Sequence, residues 1–110
     1  MELPGGFIDK NELPEAAIAR ELMEETGYRF SSIESLGKIA ANPGVLNNFT
    51  WLFLAMGGKK TSEQNLDHNE DIDVVTIPLK ELKNLFLENK IVQSLHANCI
   101  FYALRKMGEI

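Results

Sequence analysis

Residues 5–28 read GGFIDKNELPEAAIARELMEETGY, and the rest of the chain is understood from this stretch. Gly5 and Gly6 permit a turn that residues carrying a Cβ would strain. Phe7 and Ile8 are expected to pack inward, and Asp9, Lys10 and Asn11 to make a polar turn. Pro14 suits the first turn of a helix, where its missing N–H costs nothing. Glu15 then faces the positive end of the helix dipole. Ala16, Ala17 and Ala19 are strong helix formers, Ile18, Leu22 and Met23 supply apolar contacts, and Gly27 is a suitable stop. Leu13 stands where Ser, Thr or Asp would cap better. Glu21, Glu24 and Glu25 fall at i, i+3 and i+4, on one face of that helix. Like charges so placed repel by roughly 0.2–0.5 kcal/mol per pair, and a bound divalent cation is the simplest reason to keep them.

The totals bound what such a site could serve. A chain of 110 residues makes one domain, 45% hydrophobic and 25% charged, which is a globular composition. No run of 18 apolar residues predicts a membrane span. The start, MELPGGFIDK, lacks the basic and apolar segments of a signal peptide. The single cysteine, Cys99, excludes an intramolecular disulfide and reads as a buried small hydrophobe in a cytoplasmic, reducing setting. The net charge of −5 is unevenly spread. Residues 1–30 carry −4, residues 63–73 carry −5, and the remainder +4. Two acidic segments suit a cation and exclude a nucleic acid polymer, whose backbone demands clustered Lys and Arg.

Beyond the first helix, Ile33 to Ala41 reads as a strand and Asn42-Pro43-Gly44 as a turn. Phe49 to Met56 (FTWLFLAM) is aromatic, β-branched and continuously apolar, the pattern of a central strand with Phe49 and Trp51 in the core. Gly57-Gly58-Lys59-Lys60 closes it, and Thr61 to Glu70 is an acidic loop. Asp71 to Pro78 (DIDVVTIP) alternates as a strand does. Leu79–Glu88 and Ile91–Met107 are expected helices, the second with Leu95, Cys99, Tyr102 and Met107 near helical spacing.

Residues 6–28 resemble the signature of Nudix hydrolases, G-x5-E-x7-R-E-U-x-E-E-x-G-U, where U is bulky and apolar. Gly6, Glu12, Arg20, Glu21, Leu22, Glu24, Glu25, Gly27 and Tyr28 occupy its fixed positions in order, Tyr28 being the loosest match. The resemblance implies an α/β fold, a Nudix-like α/β/α sandwich around a mixed sheet, over residues 1–110. It implies Mg²⁺, with Mn²⁺ as a substitute, held by Glu21, Glu25, the Gly5 carbonyl and, in some members, Glu24. Such a metal bridges a pyrophosphate, neutralises its charge and activates a water. Glu12 and Arg20 are similar to a supporting pair in which the arginine orients the glutamates.

The second acidic segment has its own reading. Asp67, Asn69 and Asp71 match the first ligands of a calcium loop, but Ile72 and Pro78 stand where that loop needs Gly and Glu. The run HNEDIDV instead resembles the corresponding region of ADP-ribose pyrophosphatases, which makes Glu70 the candidate base or extra metal ligand. His68 is the alternative base, having a pKa near neutrality. Pro43, 16 residues after Gly27, and the paired C-terminal helices resemble the same subgroup. Stacking on an adenine is the lesser reading of Phe49 and Trp51, beside the core role that so apolar a strand favours.

The implied activity is hydrolysis of a nucleoside diphosphate linked to another moiety, with ADP-ribose giving AMP and ribose 5-phosphate. The alternatives are a sugar nucleotide or nucleoside triphosphate as substrate, or a non-catalytic fragment that binds nucleotide or a partner. A homodimer is the assembly the subgroup implies. Nudix domains place strands before the signature, whereas only Met1 to Pro4 precede this turn, so the chain is expected to be N-terminally truncated.

Overall fold

Pro14 opens the first helix, as its fixed φ and missing N–H favour. In a computed structural model that describes residues 2–40 and 49–110, this helix, α1, runs Pro14–Thr26. Leu13 precedes it without any side-chain cap, and Gly27 ends it at φ 75°, with its N–H bonded to the Met23 carbonyl. Then come β1 (Tyr28–Arg29), β2 (Ser32–Ile39), β3 (Thr50–Met56), β4 (Lys59–Lys60), α2 (Leu79–Leu87) and α3 (Ser94–Lys106). Among the described residues the strands form two two-stranded sheets, β1 with β4 and β2 with β3. The first is antiparallel, pairing Tyr28 with Lys60 and Arg29 with Lys59. No helix of the described residues is long and apolar enough to cross a membrane.

The chain divides into two compact units. One comprises Met1–Glu34 and Ala55–Val75. It is centred on α1, whose Ala17 and Leu22 are buried, and on the short β1–β4 ladder that continues from it. The other comprises Ser35–Leu54 and Thr76–Ile110. Its core is Leu52 of β3 with Ile100 and Leu104 of α3. Each such buried aliphatic side chain contributes about 1.5–3 kcal/mol. Phe86 of α2 and Phe101 of α3 lie 6.2 Å apart, and Phe101 meets Tyr102 edge-on at 5.1 Å.

Several expectations are corrected. Phe7 is 91% exposed and Ile8 is also exposed: Arg20 of α1 holds the Phe7 backbone carbonyl while the side chain stays in solvent. The FTWLFLAM run buries only Leu52, and Phe49 and Trp51 lie on the open side of the β2–β3 ladder. There the Lys38 ammonium covers both rings, 4.7 Å from Phe49 and 5.3 Å from Trp51. Lys59 and Lys60 form β4 rather than a closing turn, since β1 offers them ladder partners. Residues 71–78 form no strand: alternation alone is insufficient without a neighbour to complete the hydrogen bonds, and Val75 remains 78% exposed. The last helix starts at Ser94, not Ile91, because the Gln93 side chain accepts the His96 N–H at 2.8 Å and caps it there. Tyr102 is exposed, and Ile100 and Leu104 carry the buried face instead. Cys99 is half-buried. Burial pushes its thiol pKa up. Met1, Pro43 and the turn around it, and residue 41 of the first expected strand lie outside the described residues.

Candidate active site

Arg20 is the hub of the first unit. Its Nε donates to Glu12 Oε2 at 2.9 Å and its Nη2 to Glu12 Oε1 at 3.0 Å, a two-pronged pair. Nη2 also donates to the Phe7 carbonyl at 3.0 Å, and Asp9 lies 3.6 Å away. Nη1 reaches Glu21 Oε1 at 3.0 Å and Glu24 Oε2 at 3.3 Å. One guanidinium therefore ties the turn before α1 to two carboxylates on the helix. The pairing with Glu12 holds the arginine's pKa above its ordinary value. The same bond, with a second from the Asp9 N–H, holds the Glu12 carboxyl below its ordinary range.

Glu25 sits differently. It is 8% exposed, the one buried charged residue among those described, and its Oε2 accepts the Gly5 N–H at 3.1 Å. Desolvation raises its pKa; the Gly5 bond opposes this, and the charges of Glu21, Glu70 and Glu24 add to the rise. Gly6 runs so close to Glu21 that an added Cβ would strike its carboxylate. The turn Gly5-Gly6 thus lies along Glu25 with one residue and along Glu21 with the next.

Glu70 is presented by a tight turn. Its N–H donates to the Asp67 carbonyl and its Oε1 accepts the Asp67 N–H, both at 2.9 Å. Asp9 and Glu12 make the same reciprocal pair at 3.0 Å. The sequences are DKNE at 9–12 and DHNE at 67–70, so the repeated D-x-N-E was a readable turn signal. The two differ in their cation: Arg20 grips Glu12, whereas Glu70 has no ion pair among the described residues. His68 is exposed within its turn.

Among the described residues, no three His, Cys, Asp or Glu side chains converge closely enough to hold a metal ion as they stand. The reason is visible in the bonds: Glu21 and Glu24 lean onto Arg20, while Glu25 leans onto Gly5. A cavity of about 290 Å³ borders Arg20 and is otherwise lined by Met23, Tyr28 and Phe30 among others, with none of the glutamates. Sequence reasoning did not anticipate the Phe7 carbonyl and Gln64, which act through contacts with backbone atoms, or the Asp9 carboxylate beside Arg20.

A family model described as NUDIX domain matches residues 1–97. The chain belongs to the Nudix family. Its relatives include a methanol dehydrogenase activator of Bacillus methanolicus, 35% identical over 95 residues, covering 86% of this chain and 51% of that protein. An ADP-ribose pyrophosphatase of Bacillus subtilis (strain 168) is 29% identical over 103 residues, covering 93% of this chain and 56% of that protein. A GDP-mannose pyrophosphatase of Yersinia pestis is 32% identical over 94 residues, covering 83% and 46% respectively. The chain spans about half the length of the curated relatives it matches. A crystal structure of an ADP compounds hydrolase superposes with a TM-score of 0.79 at 23% identity, covering 96% of this chain and 58% of that one, a likeness of α/β fold.

Proposed function

We propose that this Nudix domain hydrolyses the pyrophosphate linkage of a nucleoside diphosphate joined to another moiety, with ADP-ribose as the preferred substrate. The observation that carries the reading is the buried Glu25 carboxylate, clasped by the Gly5 N–H, on the helix that also carries Glu21 and Glu24. Burial first, and then the neighbouring carboxylates, raise the Glu25 pKa, so a cation beside it would be stabilising. Carboxylate and carbonyl oxygens are the donors that Mg²⁺ or Mn²⁺ prefers. In donor type the residues fit such an ion, with Glu21, Glu25 and the Gly5 carbonyl holding it and Glu24 joining them. When bound, the metal would neutralise pyrophosphate charge and lower the pKa of a water.

The chain's own residues then have distinct tasks. Arg20 holds Glu21 and Glu24 by one nitrogen and the Glu12 turn by the others. Glu70 Oε2, which has no donor among the described residues, serves as base toward the attacking water or as a further ligand. The relatives' names support the substrate class, since those proteins are pyrophosphatases of ADP-ribose, ADP-sugar and GDP-mannose.

The test is AMP release from ADP-ribose in Mg²⁺, comparing the unmodified chain with Glu25→Gln. The substitution should reduce the rate at least about a hundredfold, the order expected when transition-state charge stabilisation is lost. Equal rates would overturn the metal-site assignment. Faster turnover of GDP-mannose or a nucleoside triphosphate would replace ADP-ribose as the substrate. Mg²⁺ binding by calorimetry without turnover of any of them would make the domain a non-catalytic nucleotide binder.

A further inference from the structure

The last turn of a helix leaves carbonyls without intrahelical partners. In α1 the partners come from a distant segment, residues 61–65. The Thr61 and Ser62 N–H groups both donate to the Gly27 carbonyl, at 2.9 and 3.2 Å. The Asn65 N–H donates to the Glu24 carbonyl at 2.7 Å. The Gln64 Nε2 donates to the Glu25 carbonyl, also at 2.7 Å. The Met23 sulfur accepts from the Ser62 hydroxyl at 3.2 Å and from Thr61 at 3.7 Å. Gly27 is needed twice over: its φ of 75° ends the helix, and a Cβ there would collide with the Ser62 carbonyl. α1 has no basic residue in its last turn, so this strap takes the place of cationic capping.

Gln64 has a second bond that the strap does not need. The same Nε2 donates to the Ile72 carbonyl at 2.9 Å. A primary amide nitrogen carries two hydrogens, and both are used here. One holds the backbone of Glu25, and the other holds the backbone two residues beyond Glu70. The segment between, 65–71, contains the Asp67–Glu70 turn.

We infer that Gln64 is a positioning residue for the reaction, a two-point clip that sets the Glu70 turn against the helix bearing Glu21, Glu24 and Glu25. The inference rests on the function proposed above for Glu70. Gln64 acts through the two backbone carbonyls it holds. It fixes both ends of the relationship between the carboxylate outside the signature and those inside it. Misplacement of a reacting group by 1 Å can cost about a hundredfold in rate, so the clip is a determinant of kcat rather than of substrate affinity.

The experiment uses Gln64→Met, which keeps the length and removes both donors, and Gln64→Lys, whose ammonium restores donors at similar reach. Two readouts are taken on the full chain. Hydrogen–deuterium exchange follows residues 65–72, including the Asn65 amide. Steady-state kinetics with ADP-ribose and Mg²⁺ give kcat, KM and the half-saturating metal concentration. Gln64→Met should speed exchange across 65–72 at least tenfold and lower kcat at least tenfold. KM and the half-saturating Mg²⁺ should stay within about twofold, and Gln64→Lys should recover at least half of each loss. Unchanged exchange in Gln64→Met overturns the inference whatever the activity. Faster exchange with wild-type kcat overturns it too, as the clip would then be structural only. An unmodified chain that hydrolyses no nucleotide overturns the proposed function instead, and the positioning role with it, while the exchange data still read the clip itself.

Discussion

The Gly5 N–H donates to Glu25 Oε2 at 3.1 Å, joining the glycine turn to a carboxylate twenty residues further along the chain. This bond explains how a buried carboxylate persists in the first unit. It also explains why the turn is made where it is: the backbone must approach the helix closely enough to donate. Gly5→Pro removes that N–H and should cost about 1–3 kcal/mol in urea unfolding, the range for leaving a buried acceptor unsatisfied. Gly5→Ala should be nearly neutral, because an added Cβ meets nothing within 4 Å. Equal stability of the proline and alanine variants would show that the bond carries no weight.

Gly6→Ala should separate folding from metal binding. Its Cβ would meet the end of the Glu21 side chain rather than backbone, so Glu21 can swing aside. Stability should change by less than about 1 kcal/mol, as for surface substitutions in general. Mg²⁺ affinity measured by calorimetry should fall at least about tenfold, the low end of the cost of disturbing ligand orientation. Undiminished affinity would remove Glu21 from the metal set.

Arg20→Lys tests the forked geometry. A lysine ammonium cannot grip both Glu12 oxygens while reaching Glu21, Glu24 and the Phe7 carbonyl. The substitution should lower the urea midpoint and cut turnover at least about tenfold through loss of glutamate positioning. A variant matching the unmodified chain in both would reduce Arg20 to a surface cation.

The Glu12 carboxyl sets a pH window. Its pKa is lowered below the ordinary value of 4.5 by the Arg20 bond and then by the Asp9 N–H. A lowered folded-state pKa means stability that is present above 4.5 and is lost as pH falls below it toward the depressed value. Glu25 runs the other way: its raised pKa makes ionisation costly, and that cost is relieved as pH falls toward 4.5. In metal-free buffer, Glu12→Gln should flatten the stability loss below pH 4.5, whereas Glu25→Gln should remove the gain seen on acidification from neutrality toward 4.5. Melting temperatures recorded across this range check both slopes, and parallel curves for all three proteins would contradict them.

Trp51 is the only tryptophan in the chain, so fluorescence excited selectively at tryptophan reports on it alone. Lys38 lies over its ring and that of Phe49. Lys38→Gln should shift emission to the red and destabilise by about 0.5–1 kcal/mol, the range for an exposed cation–π contact. An unmoved spectrum would show that the ammonium does not cover the indole.

The sequence by itself determined the helix from Pro14 to Gly27, because proline, alanine and glycine act through local backbone preferences. It also determined the family and which carboxylates share a helix face, since 3.6-residue periodicity needs no partner. It misread residues 71–78 as a strand and Phe49 and Trp51 as core, because pairing and burial depend on neighbours distant in the chain. It read Glu12 and Arg20 as partners only through resemblance; the Phe7 carbonyl, which helps complete the hub, carries no pattern at all, and Asp9 carries only that of its turn. Only the tertiary structure decided that Gly5 reaches Glu25 through its N–H, and that Gln64 joins Glu25 to Ile72. Both are bonds to or from backbone atoms, which every residue possesses. Their existence is set by where the chain passes, not by which letters it carries.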